Sequence, residues 1–383
     1  MIFILGCLLP WLLGALPVPA RQEIQPPPAP KLFLTGGDIS MLAKIEQQGG
    51  VFRKDDQPMD AIALMQSYGC NCFRLRLFVN PNHQDGTIND LDYTVALAKR
   101  IKAAGARFLL DFHYSDTWAD PGKQYKPAAW TDLDFPALEK KVTDYTAQCM
   151  AAFKAQNALP DIVQTGNEIT PGMLWPDGRL GGNGEKATDA QWDHFVRLLK
   201  AAIRGVKQPL TKDDPVRIMI HIDRGADWQT TKWFFENLRK RRVPFDIIGQ
   251  SYYPWWHGTL DQVRDNLRQT AKEFGKDIVI VETAYPFRGD WSRWKNMAWP
   301  ISIEGQKQFL TELVETVQAT PNGRGLGVLW WFPEAIPIPG HYGWNGGSTA
   351  LFDDKGNALP ALQAFTPHPP APSPTRGEGE LGQ

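Results

Sequence analysis

The feature that most constrains this chain is an alternation, repeated eight times, of a short β-branched or aromatic run with a longer amphipathic stretch. That rhythm belongs to βα units and a parallel sheet. The runs predict strands at 32–38, 72–79, 107–113, 161–167, 217–223, 246–252, 277–282 and 325–332. Helices are expected at 59–68, 92–104, 137–156, 190–207, 228–241, 260–274 and 304–320, with a short last one after Asn357. Gly69, Gly105 and Gly275 stand where C-terminal caps belong. Eight units favour closure into a single (β/α)8 TIM barrel of the α/β class over an open doubly wound sheet. No Gly-x-Gly-x-x-Gly follows the first run to indicate a dinucleotide site.

The ends of the chain read differently. Residues 1–20 are an apolar stretch closing on Val18-Pro19-Ala20, the small-residue pattern of a signal-peptide cleavage site, although no Lys or Arg precedes Ile2. Residues 21–31 form a Pro-rich linker, 32–366 the catalytic domain, and 367–383 a low-complexity tail expected to be disordered. Secretion, with no membrane attachment once the leader is cleaved, follows as the expectation. Cys70, Cys72 and Cys149 then remain, an odd number and so no disulfide framework; Cys70 and Cys72 are expected to share one strand face as small buried hydrophobes.

A net charge of −1 gives no basic excess with which to recruit nucleic acid or an anionic membrane. Fifteen Trp residues suit a neutral, hydroxyl-rich ligand instead, although aromatic side chains carry buried area wherever they occur.

Catalytic groups of such barrels sit at the carboxyl ends of strands. Here those ends carry Asp38; Arg74 and Arg76; Asp111, His113 and Asp116; Asn167 and Glu168; His221 and Asp223; Tyr252 and Tyr253; Glu282; and Trp330 and Trp331. Any one of these could be a strand-end cap or a satisfied core residue, but together they converge on one rim. Two carboxyl groups on the fourth and seventh strands are what glycosidic cleavage needs. One protonates the leaving oxygen while the other attacks the anomeric carbon or activates water, at roughly 5–5.5 Å separation for retention and 6.5–9.5 Å for inversion. Asn167 is placed to bind a sugar 2-hydroxyl. Glu282 ends an apolar run and needs a charged or hydrogen-bonding partner to stay ionised, for which Arg74 and Tyr252 are the candidates.

The strings Phe112-His113-Tyr114-Ser115-Asp116-Thr117-Trp118-Ala119-Asp120-Pro121-Gly122, Gly166-Asn167-Glu168 with Gly172-Met173-Leu174-Trp175-Pro176, and Val281-Glu282-Thr283-Ala284-Tyr285-Pro286 resemble family 53 of the glycoside hydrolases. So do Gly37-Asp38-Ile39-Ser40, Gly249-Gln250-Ser251-Tyr252-Tyr253-Pro254 and Ala350-Leu351-Phe352-Asp353, and the likeness spans about 34–362. The resemblance implies a retaining arabinogalactan endo-β-1,4-galactanase, with pectic galactan as its polysaccharide partner, Glu168 as acid/base and Glu282 as nucleophile. It places Arg74, His113, Asn167 and Tyr252 around them, with Arg74 or Arg76 orienting the nucleophile. Trp118, Trp175, Trp331 and Trp344 are candidate sugar platforms, and Asp116 and His221 candidate hydroxyl binders. A sister glycosidase acting on mannan or cellulose would share both Glu residues. A non-catalytic carbohydrate-binding protein would need neither. No cofactor or metal is required by this chemistry, a structural calcium is compatible with the family but has no assignable ligands, and a monomer is expected. Three segments depart from the family pattern: Ile169-Thr170-Pro171, Trp331-Phe332-Pro333-Glu334, and the loop 287–301 with three Trp.

Overall fold

The computed structural model describes residues 31–84, 86–182, 184–339 and 343–366. The expected leader, most of the Pro-rich linker and the tail lie outside the described residues. From Leu32 onward the chain is a compact unit of its own.

Eight parallel strands close into a barrel: β1 (Leu34–Asp38), β2 (Cys72–Leu77), β3 (Arg107–Phe112), β4 (Ile162–Thr165), β5 (Arg217–Ile222), β6 (Ile247–Tyr252), β7 (Asp277–Thr283) and β8 (Gly325–Trp331). Each pairs with its sequence neighbours, and β1 pairs with β8 to complete the ring. The expected fold is therefore the observed one. Helices wrap the outside, among them Leu91–Ala103, Phe135–Ala155, Asp189–Lys207 and Leu260–Phe274. Their starts are set by side chains that accept otherwise unpaired backbone N–H groups. Asp134 caps Phe135–Ala155, which begins two residues before the expected start, and Thr188 with Gln191 forms a reciprocal capping box. The expected last helix is a 3-10 turn, Pro360–Phe365.

Two apolar cores hold the layers together. The larger lies between the sheet and the helices. The smaller fills the barrel below the site with Leu34, Cys72, Leu109, Ile162, Met219, Ile247, Val279, Val281, Leu326 and Leu329. Cys70 belongs to the outer core and Cys72 to the inner one, correcting the expectation of a shared face: Cys70 precedes the strand and escapes its alternation. Cys70, Cys72 and Cys149 are free and buried.

Local irregularities aim the site. On β4 the strand stops at Thr165, two residues short of expectation, because Gly166 turns to φ +100°. A Cβ there would meet Ile169 Cγ2 at 2.7 Å, so the sharp turn requires glycine. Glu168 follows with φ +47°, a strained conformation for a side chain with a Cβ. On β7 the inward residues are Val279 and Val281, so strict alternation would turn Glu282 outward. Instead Ile280 pairs with Gln250 and Glu282 with Ser251, skipping Val281, and this bulge brings the carboxylate back inward.

Candidate active site

The carboxyl ends of the strands surround a cavity of about 460 Å³ lined by Trp118, Asn167, Glu168, Tyr253, Trp256, Glu282, Trp331, Phe332 and Trp344, among others. Both expected carboxyl groups face it, and their partners differ.

Glu282 lies 2.9 Å from the Arg74 guanidinium and accepts a hydrogen bond from Tyr253 at 3.1 Å. Arg74 is fully buried and also binds Asp38 at 3.0 Å, Asp111 at 2.7 Å and Asn167 Oδ1 at 2.8 Å. Burial pushes Glu282 up to about 7, and Arg74 pulls against that. Glu168 accepts from Ser251 at 2.6 Å, with no cation beside its carboxyl among the described residues. Burial first, then the charges of Glu282 and Asp223, raise it well above the usual carboxylate range. Glu282 is thus the group that ionises first, and Glu168 the one that keeps its proton.

Arg74 and Arg76 both point inward, as residues two apart must. Position along the strand separates their work: Arg74 reaches Glu282, while Arg76 binds Asp38 at 2.8 Å and lies under Trp118, Trp331 and Phe332 at 4.6–5.0 Å. Asn167 lines the cavity and donates to Ala119 O at 2.9 Å. His113 accepts from the Ala119 backbone through Nδ1, so its proton is on Nε2, 3.1 Å from Asp111; it supports the site from beneath. Trp118, Trp331 and Trp344 stand on the cavity wall where platforms were expected.

Other expected residues are placed elsewhere. Tyr252 was read as a partner of Glu282, but its hydroxyl donates to Gly258 O on the outer side and its ring packs near Phe309. Counting inward positions Ile247, Gly249, Ser251 gives Tyr253 as the next, and it is Tyr253 that reaches Glu282. Asp116 accepts from the backbones of Asn80 and Ala128, so both its oxygens clamp loops. Trp175 lies outside the cavity lining, against Tyr125 and under the Arg179 guanidinium, with its indole N–H on Pro171 O. His221 is fully buried and touches Ser251, Gln164 and Asn167, beneath the rim from which a hydroxyl could be bound. Burial first, then Arg74, hold it neutral, well below its ordinary value.

Sequence reasoning gave no role to Ser251, Tyr253, Gln164 or Trp256, although it counted Tyr253 among the strand-end residues of the rim. The first two are given by period-two counting along β6, and Gln164 by the same count from Ile162 on β4. Trp256 lies on a short helix, Pro254–His257, with no such signal.

The sequence pattern of glycosyl hydrolase family 53 matches residues 34–365. The chain belongs to glycoside hydrolase family 53. Like other members it is a glycoside hydrolase, and the matched stretch contains every strand of this family 53 barrel. It is 44% identical to an uncharacterized protein of Niallia circulans over 87% of this chain and 93% of that one. It is 38% identical to an arabinogalactan endo-β-1,4-galactanase of Thermothelomyces thermophilus, over 84% and 95% respectively. The solved family 53 catalytic domain of Ignisphaera aggregans superposes with a TM-score of 0.78 at 34% identity, covering 88% of this chain and 97% of that domain. Among the described residues no group of three or more His, Cys, Asp or Glu side chains could hold a metal ion, and no helix is long and apolar enough to cross a membrane.

Proposed function

We propose that this chain is an endo-β-1,4-galactanase acting on the galactan of type I arabinogalactan by double displacement with retention. The single observation that carries the mechanism is the unequal pairing of two buried carboxyl groups on one cavity: Glu282 beside a guanidinium, Glu168 without one. In the first half, ionised Glu282 attacks the anomeric carbon as Glu168 gives its proton to the departing glycosidic oxygen, whose bond to that carbon breaks. In the second half water attacks the same carbon, its proton passes to Glu168, and the bond to Glu282 breaks. Arg74 and Tyr253 stabilise Glu282 when it leaves as a carboxylate. Relatives named as galactanases support the substrate.

Endo action is supported by the cleft. Trp256, 53% exposed, belongs both to the catalytic cavity and to a second concavity of about 320 Å³ walled by Trp255, Trp291 and Trp294. A chain longer than one or two sugars would have aromatic surface along its path.

The test is release of reducing ends from linear β-1,4-galactan, with mannan, xylan and cellulose in parallel. Galactan alone should be cut; cleavage of another glycan instead would overturn the substrate. Glu282→Gln should retain binding of galacto-oligosaccharides and lose hydrolysis. The proposal includes no cofactor, so a chelator should leave turnover unchanged; a fall in unfolding temperature on chelation would reveal structural calcium. It includes export and a monomeric state as well, checked by the N-terminal sequence of the mature chain, expected at Arg21, and by its sedimentation.

A further inference from the structure

The hydrogen bonds around the acid/base form a ring that begins and ends on the same residue. The backbone N–H of Glu168 points to His221 Nδ1 at 3.4 Å. His221 Nε2 lies 2.8 Å from Ser251 Oγ, and Ser251 Oγ lies 2.6 Å from Glu168 Oε1. All three residues are buried.

The direction of this ring follows from the donors available. A buried backbone N–H requires an acceptor, and the imidazole is the one Glu168 N–H has, so Nδ1 is unprotonated. Gln164 Nε2, 3.0 Å from the same nitrogen, is a second donor to it. The other hydrogen of Gln164 Nε2 goes to Asp111 Oδ1 at 2.6 Å, and Asn167 Oδ1, 3.1 Å from Nδ1, takes its hydrogen from Arg74 at 2.8 Å. The imidazole proton is therefore on Nε2 and is given to Ser251. With an acceptor site of its hydroxyl filled from that side, Ser251 turns its own hydrogen onto Oε1. Glu168 Oε2 has no hydrogen-bond partner among the described residues, and Glu168 lines the cavity.

We propose that Ser251, oriented by His221, is a positioning residue that keeps Glu168 Oε1 an acceptor throughout the reaction and so confines the transferable proton to Oε2, facing the substrate. The inference rests on the reading of Glu168 as acid/base. Ser251 itself transfers no proton. While Glu168 is a carboxylic acid, an occupied Oε1 leaves one oxygen for the hydrogen. Once that hydrogen has gone to the leaving group, the same short bond stabilises the carboxylate that remains. The other groups facing Glu168 do neither. Glu282 on β7, Asp223 at the end of β5 and Asp120 after β3 all oppose its ionisation. Lys123 pairs with Asp120, Arg224 with Asp223, and Tyr253 with Glu282.

The test compares Ser251→Ala and Ser251→Thr with the unaltered full chain. Its readouts are the pH profile of kcat/KM on linear galactan, turnover of an aryl β-galactobioside with a 2,4-dinitrophenol leaving group, and thermal unfolding. Loss of a hydrogen bond to a charged group should move the alkaline limb of Ser251→Ala upward by about one pH unit and lower kcat/KM on galactan about tenfold. On the dinitrophenyl substrate, whose leaving group needs no proton, kcat/KM should stay near that of the unaltered chain. Ser251→Thr, which keeps the hydroxyl, should restore the limb. An unmoved limb with equal losses on both substrates would overturn the proposal and leave Ser251 a packing residue. Should Ser251→Ala fail to fold, Ser251→Cys, a weaker donor, is read the same way with a smaller shift. Glu168→Ala run alongside separates the two levels. Normal galactan turnover in that variant would remove Glu168 from the mechanism, whereas its loss together with an unmoved limb in Ser251→Ala removes only the role of Ser251.

Discussion

Tyr253 donates its phenolic hydrogen to Glu282 Oε2 at 3.1 Å, while Ser251, two residues earlier on the same run, donates to Glu168 Oε1 at 2.6 Å. The two carboxyl groups of the proposed reaction are therefore held by alternate residues of β6 and its continuation, which the pleat points to one face. Burial, then Glu282, raise the Tyr253 hydroxyl well above its ordinary value, so it stays a donor. Removing that donor in Tyr253→Phe takes away a bond that favours ionised Glu282. The acidic limb of kcat/KM should move to higher pH, with a loss of about tenfold or more at the optimum. A pH profile with an unmoved acidic limb would show that Arg74 alone sets the ionisation of Glu282.

Arg74 is the common partner of Asp38, Asp111 and Glu282, all buried. Burial opposes the ionisation of Asp111, yet Arg74 and His113 outweigh it and hold that carboxyl below the usual range. Arg74→Ala leaves Asp111 and Glu282 without their guanidinium, while Asp38 keeps Arg76, a loss of about 3–5 kcal/mol for breaking a buried pair. Arg74→Lys supplies one charge but no planar fork, so it should recover much of the stability and little of kcat. Denaturant unfolding beside kcat separates the two; full activity in the Lys variant would show that charge alone suffices.

How much of this was legible in the sequence follows from one rule and its exceptions. Period-two alternation places Arg74, Asp111, His113, Gln164, His221, Ser251 and Tyr253 on the inner face, and would have chosen Tyr253 over Tyr252. The same rule fails at Glu282, turned inward by the bulge at Val281, and at Asn167 and Glu168, which follow the turn at Gly166. Those three were legible as a motif at strand ends, not as a period. Asp116 and Trp175 were misplaced because a loop residue's contacts depend on loops far away in sequence: Asp116 binds Asn80 and Ala128.

The aromatic wall beyond the catalytic cavity should set product length. Trp256 has ring neighbours in Trp344 at 6.4 Å and Trp294 at 6.2 Å, and loop 287–301, an unusual segment of the sequence, supplies Trp294. Trp256→Ala removes one stacking face, about 0.5–1.5 kcal/mol, and should raise KM for galactan up to about tenfold with kcat little changed. Chromatography of the products should show a shifted distribution of oligosaccharides; an unchanged distribution and KM would place the substrate's path elsewhere.

Glu334 offers a test of stability apart from catalysis. It is fully buried in the turn after β8; Oε1 accepts from the Met41 backbone at 3.0 Å, and Oε2 has no hydrogen-bond partner. Burial, then the nearby charge of Asp38, push it up to about 8. The folded chain thus holds this proton more tightly than the unfolded chain, where a Glu titrates near 4.3. Its stabilising contribution is full below about pH 4.3 and is lost as pH rises to about 8, because the unfolded state then releases the proton first. Glu334→Gln keeps an acceptor for Met41 and has no proton to release. Relative to the unaltered chain it should be near neutral at pH 4 and gain about 5 kcal/mol by pH 8.5, the shift from 4.3 to about 8 at 1.36 kcal/mol per unit. Urea unfolding at the two pH values reads the difference directly, and because Glu168 and Glu282 titrate in both proteins their contributions cancel. A stability difference that does not change with pH would mean that Glu334 is already ionised in the folded chain, with Arg76 outweighing burial.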